Sequence, residues 1–135
     1  MKKPYISFAA PVRGRAALAF VLLAGAALPA LAGGDAKVGG KVFSAECSEC
    51  HSTKEGRNKK GPSLFAVLGR KAAGLPGVDY SESLHKTGWT WNEETLRAYL
   101  SKPAKEANPG SKMKYDGLRD AQALEDLIAY LATVK

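Results

Sequence analysis

The residues best suited to chemistry are two cysteines and a histidine in the run Cys47-Ser48-Glu49-Cys50-His51. Two thiols separated by two residues, with a histidine directly after the second, form the spacing that attaches a c-type haem covalently. The thiols would form thioethers with the porphyrin, and the imidazole of His51 would lie beneath the ring and bind iron. The run therefore predicts one haem c attached through Cys47 and Cys50.

Three other interpretations of this run stay open at this point. A redox-active C-x-x-C pair is expected beside a strand-helix-strand pattern, and the sequence shows no such alternation. A structural zinc site needs four ligands, and only His85 is left to join Cys47, Cys50 and His51. Two of those four ligands would be adjacent in sequence, which is an awkward geometry. The third interpretation is a chance match of a short motif.

Residues 1–32 predict a secretory signal peptide. Four basic residues come first: Lys2, Lys3, Arg13 and Arg15. An apolar run from Ala16 to Ala32 follows and ends in the small-x-small pattern Ala30-Leu31-Ala32. We expect cleavage after Ala32, which leaves a domain of residues 33–135 in the periplasm. An uncleaved membrane anchor is the alternative, although Pro29 makes the run a poor spanning helix.

The charge of the chain depends on that cleavage. Residues 1–32 contain four Lys or Arg and no acid, so their removal lowers the formal net charge from +7 to +3. A mildly basic protein suits an acidic docking surface on a partner protein. Lysines and arginines do not cluster with interleaved aromatic residues, so nucleic acid is not a predicted partner.

The spacing of caps and apolar residues predicts an all-α fold of about four to five helices with long loops. The predicted helices, with their caps, are Ala36 to Cys47 after Asp35, a short helix from Ser81 through Lys86, about Trp91 to Lys102 with a Thr90–Glu93 capping box, and Ala121 to about Val134 after Asp120. The segment Ala104 to Asp116 has no periodicity and is predicted to be a long loop.

The first and last predicted helices carry faces that could cross. Val38, Val42 and Phe43 would share one face of the first helix, and the adjacent Gly39 and Gly40 leave room for a close approach. The last helix carries an apolar stripe: Leu124, Leu127, Ile128 and Leu131. Residues 33–135 hold few large aliphatic residues, so a haem would supply apolar mass that the chain lacks.

Two further residues are candidates for the iron site. An iron-bound histidine usually donates its other ring N–H to an acceptor, and the carbonyl of Pro62 in the loop after His51 is a candidate. Once residues 1–32 are removed, Met113 is the one methionine left, and it lies in the aperiodic loop. Its thioether is the predicted second iron ligand, and His85 is the rival.

These residues together resemble the class I cytochromes c, in particular the soluble bacterial proteins close to mitochondrial cytochrome c. The resemblance covers residues 33–135. It is carried by the following residues: Gly39, Phe43, the run Cys47 to His51, Gly61-Pro62-Ser63-Leu64, Arg70, Tyr80, Trp91, Glu93 to Leu96, Tyr99, Leu100, Pro109 to Met113 and Glu125 to Leu131. It implies the small cytochrome c fold, wrapped round one haem with the terminal helices crossing.

The resemblance also implies a role for each site residue. His51 and Met113 would be the axial iron ligands, and the Pro62 carbonyl would accept the His51 ring proton. Arg70, Tyr80 and Trp91 would hydrogen-bond or support the haem propionates. Tyr99 would lie near the Met113 sulfur. Gly39 and Phe43 would meet Leu127 and Tyr130 at the crossing.

Two positions depart from the family pattern. Leu84 stands where mitochondrial members carry an asparagine near a propionate, so that hydrogen bond would be lost. Tyr115 stands where an aromatic residue, usually phenylalanine, covers the haem edge, so a hydroxyl is added there.

The implied function is electron transport by a single-haem carrier rather than an enzyme. An iron closed on both faces has no free position for oxygen or peroxide. We expect a monomer that passes one electron from a quinol-oxidising complex to an oxidase, a peroxidase or a photosynthetic reaction centre. A basic ring would surround the haem edge: Lys41, Lys59, Lys60, Lys105, Lys112 and Lys114. The alternatives are a haem peroxidase or sensor with an exchangeable ligand, and a carrier tethered by residues 16–32.

Overall fold

The computed structural model describes residues 33–135, so the predicted signal peptide lies outside the described residues. Five helices form within this part of the chain: α1 (Ala36–Glu46), α2 (Glu82–Lys86), α3 (Glu93–Leu100), α4 (Ala104–Ala107) and α5 (Ala121–Thr133). From Gly33 to Lys135, none of them combines the length and the apolar character needed to cross a membrane.

The all-α prediction is confirmed. Between residues 33 and 135 the chain forms no strand, and its β-type pairing is a single isolated bridge between Lys71 and Thr90. Loops connect the helices, and the longest runs from the end of α1 to the start of α2. This loop carries His51, Pro62 and Arg70, so loops rather than helices position much of the site.

Three of the predicted helix caps are present. The side chain of Asp35 accepts the backbone N–H groups at the start of α1, Ser81 does so for α2, and Asp120 for α5. Each cap satisfies N–H groups that have no partner inside the helix. Because a capping side chain and its helix are neighbours in sequence, a helix cap can be predicted from the local sequence.

The predicted capping box of α3 was wrong. Asn92 is the cap, and it exchanges hydrogen bonds with Thr95: each backbone N–H donates to the other residue's side-chain oxygen at 2.8 Å. Thr90 instead pairs with Lys71 in the isolated bridge. That pairing keeps Thr90 extended, so the helix begins at Glu93 rather than near Trp91.

The terminal helices α1 and α5 cross, and α1 places a glycine at the crossing. The ring of Phe43 lies 5.5 Å from that of Tyr130, measured between centroids. Gly39 is buried against the backbone of Asp126. The prediction that Val38 shares this buried face was wrong, since Val38 is 42% exposed. The glycine, not the adjacent valine, faces α5 because two helix backbones approach there.

A small apolar core fills the space between α1, α3 and α5. It consists of Phe43, Val67, Leu96, Tyr99, Leu100, Ala104, Leu124, Leu127, Ile128 and Leu131. The predicted α5 stripe accounts for four of these residues. Few of the others lie in the long loops, so the loops depend on other contacts for their order.

The segment predicted as a long loop contains one turn of helix, α4. Ala104 is fully buried and donates its N–H to the carbonyl of Tyr115 at 2.9 Å. The N–H of Asn108 then closes the turn on the carbonyl of Ala104. A single turn is too short to produce a periodic apolar pattern, so the sequence did not reveal it.

The crossing predicts opposite effects for two adjacent glycines. A Cβ at Gly39 would lie 1.8 Å from the backbone oxygen of Asp126, so Gly39→Ala must separate the helices and should destabilise the protein by about 2–4 kcal/mol. A Cβ at Gly40 would meet only the Tyr130 ring at 3.4 Å. Gly40→Ala should therefore be neutral or stabilise by up to about 1 kcal/mol through helix propensity. Denaturant unfolding of both variants measures this, and equal effects would refute the close crossing.

Candidate haem site

The two cysteines and the histidine lie on one tight turn at the end of α1. Cys47 is the C-cap of the helix. Its carbonyl accepts the N–H groups of both Cys50 and His51, at 3.1 and 2.9 Å. Both thiols are free and partly buried. The turn therefore holds the thiols and the imidazole on a short, internally bonded piece of backbone.

The imidazole of His51 is fixed by the loop that follows it. Its Nδ1 lies 2.8 Å from the carbonyl oxygen of Pro62. A carbonyl can only accept, so Nδ1 carries the proton and Nε2 keeps its lone pair. The N–H of Gly61 donates to the carbonyl of Cys50 at 2.9 Å, which ties this loop to the turn. The arrangement presents one unprotonated ring nitrogen in a set orientation.

Gly61 makes room for that ring. A Cβ at this position would lie 2.6 Å from Cε1 of His51 and 3.0 Å from its Nδ1. The first distance is shorter than Cβ contacts in proteins essentially ever are, so a side chain at residue 61 would push the imidazole aside. The Gly61-Pro62 pair thus supports the ring with backbone atoms alone.

Burial sets the protonation of the motif. It lowers the pKa of His51 below its ordinary value, against the opposing effect of the Pro62 hydrogen bond, so the imidazole is neutral at neutral pH. Burial, with Glu46 and Cys50 adding to it, raises the pKa of Cys47 to about 11. A neutral imidazole is the form that binds a metal ion.

Met113 is connected to the core through Ser111. The Met113 N–H donates to the Ser111 hydroxyl oxygen at 3.2 Å, and that hydroxyl lies 3.0 Å from the hydroxyl of Tyr99. Tyr99 is buried on α3, and Met113 is partly buried against the core. Ser111 was not singled out from the sequence, because its role depends on α3 lying beside this segment.

Three aromatic rings pack together next to this connection. Tyr99 lies 5.3 Å from Trp91 and 6.4 Å from Trp89, centroid to centroid, and the two tryptophans are 6.1 Å apart. All three contacts are edge-on, the arrangement that aromatic rings favour. Trp89 was not predicted as a site residue, because no sequence motif surrounds it.

Arg70 is anchored to the loop that follows the motif. Its two terminal nitrogens donate to the carbonyls of Phe65 and Ser63, at 3.0 and 2.9 Å. A guanidinium has five N–H donors, so others stay available for a bound carboxylate. Tyr80 lies near enough for the Arg70 charge to oppose the rise in the Tyr80 pKa that burial causes. Arg70 and Tyr80 thus lie close to each other.

His85 has different surroundings. It is exposed on α2, and its ring packs edge-on against Tyr80 at 6.0 Å. Met113, in contrast, is partly buried and hydrogen-bonded through its backbone to a residue that contacts the core. The geometry therefore favours Met113 over His85 as the residue that faces a bound group.

The structure gives no support to the disulfide and zinc interpretations. Cys47 and Cys50 are free thiols, and the described part of the chain lacks the strand-helix-strand unit of a redox pair. Nowhere in residues 33–135 do three or more His, Cys, Asp and Glu side chains group as a metal site requires. His85 consequently does not join the motif.

The residues fit a covalently attached haem. Two thiols are available for thioether bonds. The neutral imidazole of His51 has its Nδ1 hydrogen-bonded to Pro62, which leaves Nε2 free to bind iron. Such a group supplies an iron that changes oxidation state by one electron when bound. The motif turn, Gly61 and Pro62 orient the His51 imidazole.

Comparison with known proteins agrees with this fit. The family model of cytochrome c matches residues 36–135. This chain belongs to the cytochrome c family. The cytochrome c of Gibberella zeae is 43% identical to it over 102 residues, which cover 75% of this chain and 95% of the relative. The cytochrome c2 of Rhodopila globiformis is 44% identical over 102 residues, which cover 76% and 95%.

Membership of the cytochrome c family confirms several predictions. The protein is a haem electron carrier and not an enzyme, and it binds one haem c through Cys47 and Cys50. The chance-match interpretation is overturned, because the similarity extends far beyond the five-residue motif. The fungal and bacterial relatives are about equally similar, so export to a periplasm stays a prediction.

The ring contact of Gly61 yields a prediction for the haem-loaded protein. Gly61→Ala should displace the His51 imidazole, lower the melting temperature by several degrees and alter the absorption spectrum, with a loss of about 1–3 kcal/mol from overpacking. Gly33→Ala is the control, because a Cβ there meets nothing within 4 Å. Thermal melting followed at the haem absorption tests this. An unchanged spectrum and melting temperature in Gly61→Ala would contradict the role of Gly61.

Proposed function

We propose that this cytochrome c is an exported carrier that moves one electron at a time from a quinol-oxidising complex to a terminal acceptor such as an oxidase or a photosynthetic reaction centre. The observation that supports the proposal is that both predicted ligand residues are held in place by hydrogen bonds. His51 is held by Pro62 on one side, and Met113 is held through Ser111 and Tyr99 on the other.

Ligation by both His51 and Met113 accounts for carrier rather than oxygen chemistry. If both residues bound the haem iron, no coordination position would remain for oxygen or peroxide. A thioether ligand also raises the reduction potential, which suits a carrier that accepts electrons from a quinol-oxidising complex. Among residues 33–135, Met113 is the one methionine that could supply this ligand.

The remaining site residues would hold the edge of the haem. We assign Arg70, Tyr80 and Trp91 to its propionates, with Arg70 oriented by the carbonyls that it already binds. Tyr99 would lie beside the Met113 sulfur, which agrees with its bond to Ser111. A carboxylate beside the half-buried Arg70 would be stabilised in its charged form.

Export is the second part of the proposal. Residues 1–32 would direct the chain to the periplasm and be removed after Ala32. Haem c is attached outside the cytoplasm, so the motif and the signal support each other. Mass spectrometry of the purified protein tests this: an N-terminus at Gly33 supports cleavage, whereas a retained segment supports a membrane-tethered carrier.

The docking surface would be the group of six lysines named above, and three of them already have partners. Lys60 pairs with Glu49, Lys112 with Asp79, and Lys59 donates to the carbonyl of Ser48. The other three, Lys41, Lys105 and Lys114, are exposed. The carboxylates of Glu49 and Asp79 offset much of the charge of Lys60 and Lys112, and the Ser48 carbonyl restrains Lys59 without offsetting its charge. We therefore expect Lys41, Lys105 and Lys114, which are exposed, to attract an acidic partner protein most strongly. The carrier would act as a monomer.

Loss of the second ligand gives a direct test of the site. In the wild type, the oxidised spectrum should show the deep-red band of methionine ligation, and carbon monoxide should leave the reduced spectrum unchanged. Met113→Ala should abolish that band, bind carbon monoxide and lower the reduction potential, because an open position replaces the thioether. His85→Ala is the control and should behave as the wild type. If His85→Ala loses the band instead, Met113 is not the ligand.

The lysine pairing predicts unequal effects of charge removal. The double substitution Lys105→Gln with Lys114→Gln should slow electron transfer to a purified terminal oxidase by about 3–10-fold at low salt, because long-range attraction speeds encounter. Lys60→Gln should change the rate by less than about 2-fold, since Glu49 already offsets that charge. Rates that do not fall as salt rises would refute electrostatic docking.

A further inference from the structure

The carboxylate of Asp126 is buried on α5 without a positive charge beside it. Asp126 is only 5% exposed. Its Oδ1 accepts two hydrogen bonds, from the backbone N–H of Asp35 at 2.7 Å and from the side-chain amide of Gln122 at 3.0 Å. Between Gly33 and Lys135, no basic side chain pairs with this carboxylate, and Oδ2 has no donor. Buried charges in proteins are usually paired, so Asp126 points to a cation that the side chains do not supply.

The Oδ2 atom of Asp126 can still be reached from outside. In the part of the chain that the structure describes, the one side-chain nitrogen or oxygen that is both fully buried and without a partner belongs to a different residue, Asn108. The unbonded Oδ2 therefore keeps a small opening to solvent. A cation at the surface of α5 could approach the carboxylate through this opening.

The residues that lead into α1 lie against the same part of α5. A Cβ built on Gly34 would be 2.0 Å from the backbone oxygen of Glu125, so the chain passes α5 in close contact at this glycine. Asp35 follows and donates its N–H to the Asp126 carboxylate. One turn later, a Cβ on Gly39 would be 1.8 Å from the backbone oxygen of Asp126. Three positions thus fix this segment beside the buried carboxylate.

Cleavage after Ala32, proposed above, would place a new cation at this position. It would leave Gly33 with a free α-amino group, and such a group has an ordinary pKa of about 7.7–8.0, so it is mostly protonated at neutral pH. The Gly33 nitrogen is two residues from the Asp35 nitrogen, a span of at most about 7 Å. A Cβ on Gly33 would meet nothing within 4 Å, so the end of the chain has room to turn toward α5. Successive backbone nitrogens can curl round one anion.

We propose that the α-ammonium group of Gly33, created by cleavage, pairs with the Asp126 carboxylate through Oδ2 and so stabilises the crossing of α1 and α5. An uncleaved chain has a peptide N–H at Gly33, which supplies no positive charge. Because Cys47 ends α1, the pair also stabilises the helix that positions the haem attachment. The inference rests on the proposed cleavage and on neither the redox partners nor Met113 ligation.

A crystal structure of the haem-loaded protein that starts at Gly33 tests the contact directly. A Gly33 nitrogen within about 4 Å of Oδ2 of Asp126 supports the proposal. A nitrogen that is turned to solvent, or bonded only to other acceptors, overturns it. A site-specific protease that leaves Gly33 as the first residue can produce this protein, so the test does not depend on cleavage in the cell.

Thermal unfolding tests the charge pair in solution. The haem-loaded chain that starts at Gly33 is compared with one that keeps Leu31 and Ala32. The two extra residues move the ammonium group away from Asp126, so the longer chain should melt about 3–6 °C lower. The comparison is repeated with Asp126→Asn, which retains an oxygen acceptor and removes the charge. In that background the two chains should melt within about 1 °C of each other.

Two outcomes of this comparison would overturn the proposal. An equal decrease in both backgrounds would show that the extra residues act through packing rather than charge, and no decrease in either would show that the ammonium group contributes nothing. Asp116→Asn, in an exposed loop, is the control for the loss of one negative charge and should leave the decrease at its full size. If Asp126→Asn does not fold, the crystal structure decides alone.

The proposed export and this inference fail separately. An N-terminal segment retained in the exported protein would refute cleavage in the cell. The protein that starts at Gly33 would still show whether its ammonium group binds Asp126, since it is prepared with an added protease.

Discussion

The hydrogen bond between the His51 ring and the Pro62 carbonyl is the constraint on which the site depends. It fixes the proton on Nδ1, leaves Nε2 unprotonated and joins the motif turn to the loop of residues 52–63. That loop has little apolar mass, so polar contacts order it. Ser63 shows how: its N–H donates to the Asn58 side chain, and its hydroxyl donates to the carbonyl of Lys54. Such bonds contribute about 1 kcal/mol each, so the loop depends on several polar contacts acting together.

The fold and the site share one helix. Gly39 and Phe43 on α1 make the crossing with α5, and Cys47 at the end of the same helix begins the motif turn. Burial at the crossing therefore sets the position from which the thiols extend. The backbone N–H of Asp35 also donates to the buried carboxylate of Asp126 at 2.7 Å, so α1 is anchored to α5 from its first turn. A change that separates these helices would move the haem attachment as well.

Sequence reasoning succeeded where the determining residues are neighbours along the chain. The motif from Cys47 to His51, the caps at Asp35 and Asp120 and the α5 stripe all depend on local spacing. It failed where contact with a segment distant in sequence determines a residue's conformation or burial. Thr90 pairs with Lys71 and so cannot cap α3, and the exposure of Val38 follows from which side of α1 meets α5.

The same limit applies within the site. Ser111 lies in the run Pro109 to Met113 that carries the resemblance, but the hydrogen bond that gives it a role comes from its contact with Tyr99 on α3. The loop prediction for residues 104–116 missed α4 because one helical turn leaves no periodic signal. Local spacing thus predicts the attachment chemistry, whereas the groups that hold Met113 in place depend on tertiary contacts.

The segment around Met113 is held mainly by hydrogen bonds on its core-facing side rather than by surface contacts. On its outer side, Lys112 pairs with Asp79, but their side chains are 55% and 90% exposed, and such pairs contribute less than about 1 kcal/mol. The Tyr115 hydroxyl reaches Glu46 at 3.4 Å, which is long for a hydrogen bond. Burial, with Glu46 adding to it, raises the Tyr115 pKa, so the hydroxyl stays protonated and can only donate to that carboxylate. The part-buried bonds to Ser111 and the bonds of the fully buried Ala104 are less open to solvent, so they contribute more to the position of Met113.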